Sequence, residues 1–149
     1  VRVIEFNARF GDPETQVVLA RLTSPLAPLL LAAATGTLSD VDAPEFSDDV
    51  AITVVLASEG YPESPKTGRA LEGLEKAEAV AGISIAHAAT AVSDGTLIAT
   101  GGRVLSVIAR GASFLQARSR AYEALDCISL EGSHFRRDIA ARVSDEHAG

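Results

Sequence analysis

The sequence predicts an α+β chain. A strand and helices over residues 1–40 are followed, over residues 41–149, by a small, mainly antiparallel β domain with one long packed helix. Three observations predict this. Glu5-Phe-Asn-Ala-Arg-Phe-Gly-Asp-Pro-Glu-Thr-Gln16 reads as a strand, a glycine turn and a helix start. The β-branched runs downstream are joined by tight turn signals, above all Asp94-Gly95. Ser113-Phe-Leu-Gln116 is a capping box ahead of an apolar helical face.

With 149 residues, 47% hydrophobic and 22% charged, the chain is long enough for a core of its own and too apolar for disorder. A net charge of −7 argues against a nucleic-acid partner, which selects for a basic face. The single Cys127 excludes an intrachain disulfide. Between Leu125 and Ile128, with no basic neighbour to activate it, it reads as a buried apolar-type residue in a cytoplasmic setting. The most apolar run, residues 26–34, is too short to cross a bilayer, and no signal peptide starts at Val1. The lack of any methionine and an opening inside a strand predict a C-terminal piece of a longer protein.

Taken in order, residues 1–10 form the first strand. Side chains alternate faces along a strand, so Ile4, Phe6 and Ala8 share a core face and Glu5, Asn7 and Arg9 share the other. Gly11 permits the turn, Asp12 fits the N-cap, Pro13 the first helical position, and Glu14 suits the helix dipole. The helix continues to about Leu22. Ser24 and Pro25 start a second helix that buries Leu26, Leu29, Leu30 and Ala33 and stops at Gly36. The acidic residues 39–49 read as a solvated linker between two structural units split near residues 40–48, with no EF-hand pattern.

Residues 50–58 read as a central strand, ended by the turn Gly60-Tyr61-Pro62. Residues 63–68 are a loop, and Lys66-Thr67 lacks the glycines of a phosphate-cradling loop. Residues 70–79 suit a short helix or an extended segment. Residues 83–92 form a strand whose alternation weakens at Ala88 and Ala89. Residues 97–100 return as its partner, Gly101-Gly102 bends the chain, and residues 103–109 make a third antiparallel strand. His87 reads as a satisfied core histidine, with a substrate contact as the alternative, and three histidines so far apart indicate no zinc site. Arg103, after a double glycine where backbone can approach a ligand, is the best site candidate of the second domain; a surface ion pair is the other reading. Phe114, Ala117, Ala121, Leu125 and Ile128 line one face of a helix over residues 113–128. Asp138 caps a last short helix over residues 139–143, and residues 144–149 read as a frayed tail.

Glu5 and Asn7 offer a carboxylate and an amide oxygen two positions apart, a pair that can hold a hard divalent cation. Arg9 on the same face can neutralise a phosphate or carboxylate. A solvated strand end with a weak Glu5–Arg9 pair explains the same residues, and spacing alone leaves both readings open.

The same stretch resembles the signature of the glycinamide ribonucleotide synthetase (phosphoribosylamine–glycine ligase) family of ATP-grasp ligases, most specifically in Arg9-Phe-Gly-Asp-Pro-Glu14. Further matches are Glu59-Gly-Tyr-Pro62, Gly101-Gly-Arg-Val-Leu105, Glu131-Gly132 and Arg136-Arg-Asp-Ile139. One departure is His87-Ala-Ala-Thr90, where the family tends to show His-Ala-Gly-Thr. The resemblance implies that Glu5 and Asn7 bind Mg²⁺ or Mn²⁺, with ATP as co-substrate. It implies an enzyme that joins glycine to 5-phosphoribosylamine through glycyl phosphate, giving glycinamide ribonucleotide, ADP and phosphate, an early step of purine synthesis. Residues 1–40 are then the C-terminal end of an ATP-grasp domain, and residues 41–149 the family's C-terminal domain. Arg9 is expected to stabilise the acyl phosphate. Asp12 is expected to orient glycine or the amine, with helix capping as the simpler explanation. The nucleotide pocket is expected in a missing N-terminal part, so the chain alone is expected to be inactive, with no nucleic-acid or membrane partner. The competing class is a non-catalytic folded binding or interaction domain.

Overall fold

The structure, a computed structural model, describes residues 2, 3, 6 and 8–146, with Asp145 and Glu146 described by backbone alone. Its centre is strand β5 (Arg103–Gly111), flanked antiparallel by β1 (Val50–Ala57) and β2 (Ile83–His87) in the order β1-β5-β2. Residues 104–109 of β5 are buried without a break, so both of its faces are covered. On one face Ile52, Val54 and Leu56 of β1 sit opposite Ala109, Val107 and Leu105 of β5. Over this sheet packs the long helix α4 (Phe114–Cys127), whose Ala117, Ala121, Ala124 and Leu125 join the same buried cluster. Helix α1 (Glu14–Arg21) also packs on β1 and β5.

Helix α4 starts where local chemistry dictates. Ser113 Oγ accepts the Gln116 N–H at 3.2 Å, and Gln116 Oε1 reaches back to the Ala112 N–H at 2.8 Å, so two free donors of the first turn are satisfied. The face expected to be apolar is the face that packs. Residues 70–79 turn out to be both extended and helical. Glu72 and Ser129 exchange backbone hydrogen bonds at 3.0 Å, and α3 (Leu74–Glu78) begins at Gly73. The linker is tied back to the helix before it. Thr23 N–H donates to Glu45 O at 2.9 Å, Ser47 N–H to Arg21 O at 2.7 Å, and the Arg21 guanidinium to Ser47 O.

The structure corrects several expectations. Among the described residues of 1–10 there is no strand, and Phe6, expected in the core, is 89% exposed. A strand is held by a neighbour's backbone, and no described strand pairs with this stretch. Helix α2 (Leu26–Thr35) ends at Gly36 as expected, but only Ala32 is buried; Leu30 and Ala33 are exposed, and Leu31 is 66% exposed. Periodicity identifies an apolar face but not what covers it. Strand β1 lies at the edge of its sheet, and β5 takes the central place. The stretch expected as one strand over residues 83–92 is two, β2 and β3 (Thr90–Ser93), broken at Ala88-Ala89 where its alternation fails. β3 and β4 (Thr96–Ala99) form a separate hairpin around Asp94 and Gly95, both at positive φ, rather than adding to the main sheet. The last helix is α5 (Ala141–Glu146), beginning two positions later than expected. The Asp138 carboxylate is taken by Arg136, and Ala140 sits at φ 56°, so no helix forms across it.

Gly73 sets a sharp test of the packing beneath α4. Its φ is 85°, and a Cβ there would lie 2.0 Å from the Cys127 carbonyl oxygen. Gly36 has a similar φ of 72° with nothing within 4 Å. Gly36→Ala should therefore cost only the backbone penalty of about 1 kcal/mol. Gly73→Ala should cost about 2–4 kcal/mol, because backbone must also move. Urea unfolding of the two variants checks the difference; equal losses would contradict the packing described here.

Candidate functional site at one end of the sheet

The end of β1 and the start of β5 form one corner of the molecule. Ser58, buried just past β1, ties them together: its N–H donates to Gly102 O and its Oγ to Gly101 O, both at 2.8 Å. The Tyr61 ring lies flush against Gly102, where a Cβ would come within 2.3 Å of a ring carbon. The β1–β5 register slips here. Leu56 faces Leu105 but Ala57 faces Arg103, which leaves Val104 as an extra residue in β5. Such bulges re-aim neighbouring side chains.

Arg103 is aimed at Asp12. Its Nη1 donates to the Asp12 carbonyl oxygen at 3.0 Å, and its Nη2 lies 3.2 Å from Asp12 Oδ2. The other carboxylate oxygen, Oδ1, accepts from Gln16 Nε2 at 2.8 Å. Asp12 thus does not cap α1. Pro13 occupies the N-cap position with no side-chain bond, and Gly11 O receives both the Thr15 N–H at 3.0 Å and the Thr15 hydroxyl at 2.5 Å. Residues singled out separately in the sequence, Asp12 and Arg103, meet as an ion pair.

A second charged cluster joins two further stretches. Arg69 pairs with the Glu59 carboxylate, donates to the Glu131 carbonyl oxygen at 2.8 Å, and lies 3.7 Å from the Glu131 carboxylate. The hydrogen bond to Glu59 raises the guanidinium above its ordinary value; burial opposes this, and the charge of Glu131 adds to it. Gly132, at φ 66°, is the floor of the cluster, since a Cβ would lie 2.5 Å from Glu59 Oε2. Sequence reading overlooked Arg69; its only local signal is its place just after Gly68. Below it, Ala57 and His134 exchange backbone bonds at 2.9 Å.

Glu5 and Asn7 lie outside the described residues. Arg9 is exposed and its Nη1 donates to the Phe10 carbonyl oxygen at 2.7 Å. His87 is not a core residue; it is exposed, with Nδ1 3.0 Å from Thr90 Oγ1, because Ala88 and Ala89 end the strand beside it. Cys127 is half-buried, its Sγ 3.4 Å from Glu123 O. Residues 136–139 are held on α4, with the Tyr122 hydroxyl donating to Arg136 O at 2.7 Å and the Arg118 Nε to Ile139 O at 3.1 Å. Among the described residues no group of three or more His, Cys, Asp and Glu is placed to hold a metal, and no helix is long and apolar enough to cross a membrane.

The Tyr61–Gly102 contact predicts a coupled pair. Gly102→Ala should lose roughly 2 kcal/mol of stability by forcing the ring aside. Combined with Tyr61→Ala, it should cost less than the sum of the two single changes, by at least about 0.5 kcal/mol. Denaturant unfolding of the four proteins checks this, and simple additivity would contradict it.

The family described as phosphoribosylglycinamide synthetase, C domain, matches residues 51–142. A phosphoribosylamine–glycine ligase of Leifsonia xyli subsp. xyli is 65% identical over 96% of this chain and 35% of its own length. That of Streptomyces coelicolor is 53% identical over 97% of this chain and 35% of its own. The crystal structure of phosphoribosylamine–glycine ligase from Thermotoga maritima is similar with a TM-score of 0.77 and 34% identity, covering 92% of this chain and 33% of that one. The chain thus spans about a third of the length of these relatives, and it is a member of the phosphoribosylglycinamide synthetase C-domain family.

Proposed function

We propose that this chain works as the C-terminal third of a phosphoribosylamine–glycine ligase. The observation that carries the reading is the 65% identity over 96% of the chain. The reaction it would serve is ATP-dependent. A glycine carboxylate oxygen attacks the γ-phosphorus of ATP, ADP leaves, and glycyl phosphate forms. The amine of 5-phosphoribosylamine then attacks the acyl carbon, phosphate leaves, and the nitrogen loses a proton to give glycinamide ribonucleotide. Such steps are accelerated mainly by positioning and by neutralising charge. Residues 1–40 would belong to the ATP-grasp domain and residues 41–149 to the C-terminal domain, with the adenine pocket contributed by the remaining two-thirds of the enzyme and the whole acting in the cytoplasm.

Glu5 and Asn7 would hold Mg²⁺ or Mn²⁺. Their donors are hard oxygens, and two protein ligands leave positions for phosphate oxygens and water, as Mg²⁺ prefers. The bound ion would supply charge neutralisation at the phosphates. Arg9, exposed and cationic, would stabilise the acyl phosphate. Asp12 has both carboxylate oxygens engaged, by Arg103 and by Gln16, which favours a positioning role over direct work on glycine.

In the full-length ligase, Glu5→Ala and Asn7→Ala should each lower turnover about a hundredfold, on the order of 3 kcal/mol. Raised Mg²⁺ should recover part of it. Phe6→Ala, in the 149-residue chain, should change stability by less than about 0.5 kcal/mol, because its ring is exposed. The 149-residue chain alone should form no ADP with glycine and ATP. Turnover by the isolated chain, or normal metal dependence in both ligand variants, would overturn the reading.

A further inference from the structure

We infer that Arg103 is a positioning residue of the proposed ligase, acting through Asp12 on the Glu5–Arg9 stretch rather than on substrate. The inference rests on the ligase reading above. Arg103 is fixed at its backbone from three directions. The bulge sets its place opposite Ala57, its carbonyl oxygen accepts the Ala89 N–H at 3.1 Å, and the two glycines before it are tied down by buried Ser58. From that anchor the guanidinium reaches across 91 positions of sequence and takes Asp12 at two atoms, its carbonyl and its carboxylate. A guanidinium that hydrogen-bonds the carbonyl oxygen through Nη1 and lies in ion-pair contact with the carboxylate through Nη2 fixes orientation as well as distance, which a single ammonium does not.

The pair is too exposed to matter much for stability, at 40% for Arg103 and 38% for Asp12. Its consequence is geometric. Asp12 lies within the signature, three, five and seven positions after Arg9, Asn7 and Glu5. Gln16 Nε2 holds the other carboxylate oxygen, so Asp12 is clamped between α1 and the sheet. Among the described residues, no strand pairs with the stretch before Gly11. The clamp at Asp12 holds the chain just after the described Arg9 and Phe10.

The test uses the full-length ligase containing this sequence, as wild type, Arg103→Ala, Arg103→Lys, Asp12→Asn and the double variant Arg103→Ala/Asp12→Asn. Arg103→Ala should lower kcat for glycine-dependent ADP formation roughly 10- to 100-fold, with KM for 5-phosphoribosylamine within about threefold. The Mg²⁺ midpoint should rise about tenfold, and Tm should fall by less than about 2 °C. Arg103→Lys should recover only part of the loss. The double variant should be no slower than the worse single one, because both changes break one clamp. Amide hydrogen exchange over residues 8–16 should accelerate in Arg103→Ala whether or not the protein turns over. Multiplying losses, a defect confined to KM for 5-phosphoribosylamine, or unchanged kinetics would each overturn the inference. Unchanged exchange would overturn the clamp itself. A wild-type protein without glycine-dependent ADP formation, yet with faster exchange in Arg103→Ala, would instead sink the ligase reading and, with it, the catalytic part of this inference.

Discussion

Strand β5 is buried on both faces, and the rest of the structure follows from that constraint. A strand with no solvent face needs hydrogen-bonded neighbours on both edges and apolar cover above and below. β1 and β2 supply the edges, and α4 and α1 pack on the sheet they form. Because β5 cannot shift without exposing Leu105, Val107 and Ala109, its first residue is fixed in space. That residue is Arg103. The corner where Arg103 meets Asp12 is therefore placed by the core and not by the loops around it.

The corner is built by close backbone approach. Gly102 lies under Tyr61, Gly132 under Glu59 and Arg69, and Ser58 reaches the carbonyls of the double glycine. Each contact joins stretches far apart in the chain. Three of the stretches that resemble the family's motifs, at residues 59–62, 101–105 and 131–132, meet here, and Asp12 brings in the signature. The fourth downstream stretch, residues 136–139, is held instead by Arg118 and Tyr122 of α4.

What could be read from sequence was local. The capping box at Ser113, the turn at Asp94-Gly95 and the stop at Gly36 each depend on a few adjacent residues, and each is in place. The order β1-β5-β2 depends on pairing between distant segments, so residues 50–58 looked central for their β-branched content and lie at an edge. The leucines of α2 and the phenylalanines at 6 and 10 announce apolar surface without naming its cover. Asp12 and Arg103 each stood out for their neighbours, a turn and a double glycine, but nothing in either neighbourhood indicates that they meet. Arg69 had no such marker, and its role between Glu59 and Glu131 emerges only once β1 and the segment after α4 lie side by side.

We propose that Glu5 and Asn7 hold a cation and that the Arg103–Asp12 pair positions the chain that carries them. The most direct measurement is a crystal structure of the full-length protein with Mn²⁺ and a non-hydrolysable ATP analogue, with Mn²⁺ located by its anomalous signal. An anomalous peak is expected about 2 Å from oxygens of both Glu5 and Asn7, with the Arg103–Asp12 pair intact. A peak held by other residues, or a nucleotide-bound protein in which Glu5 and Asn7 face solvent, would contradict it.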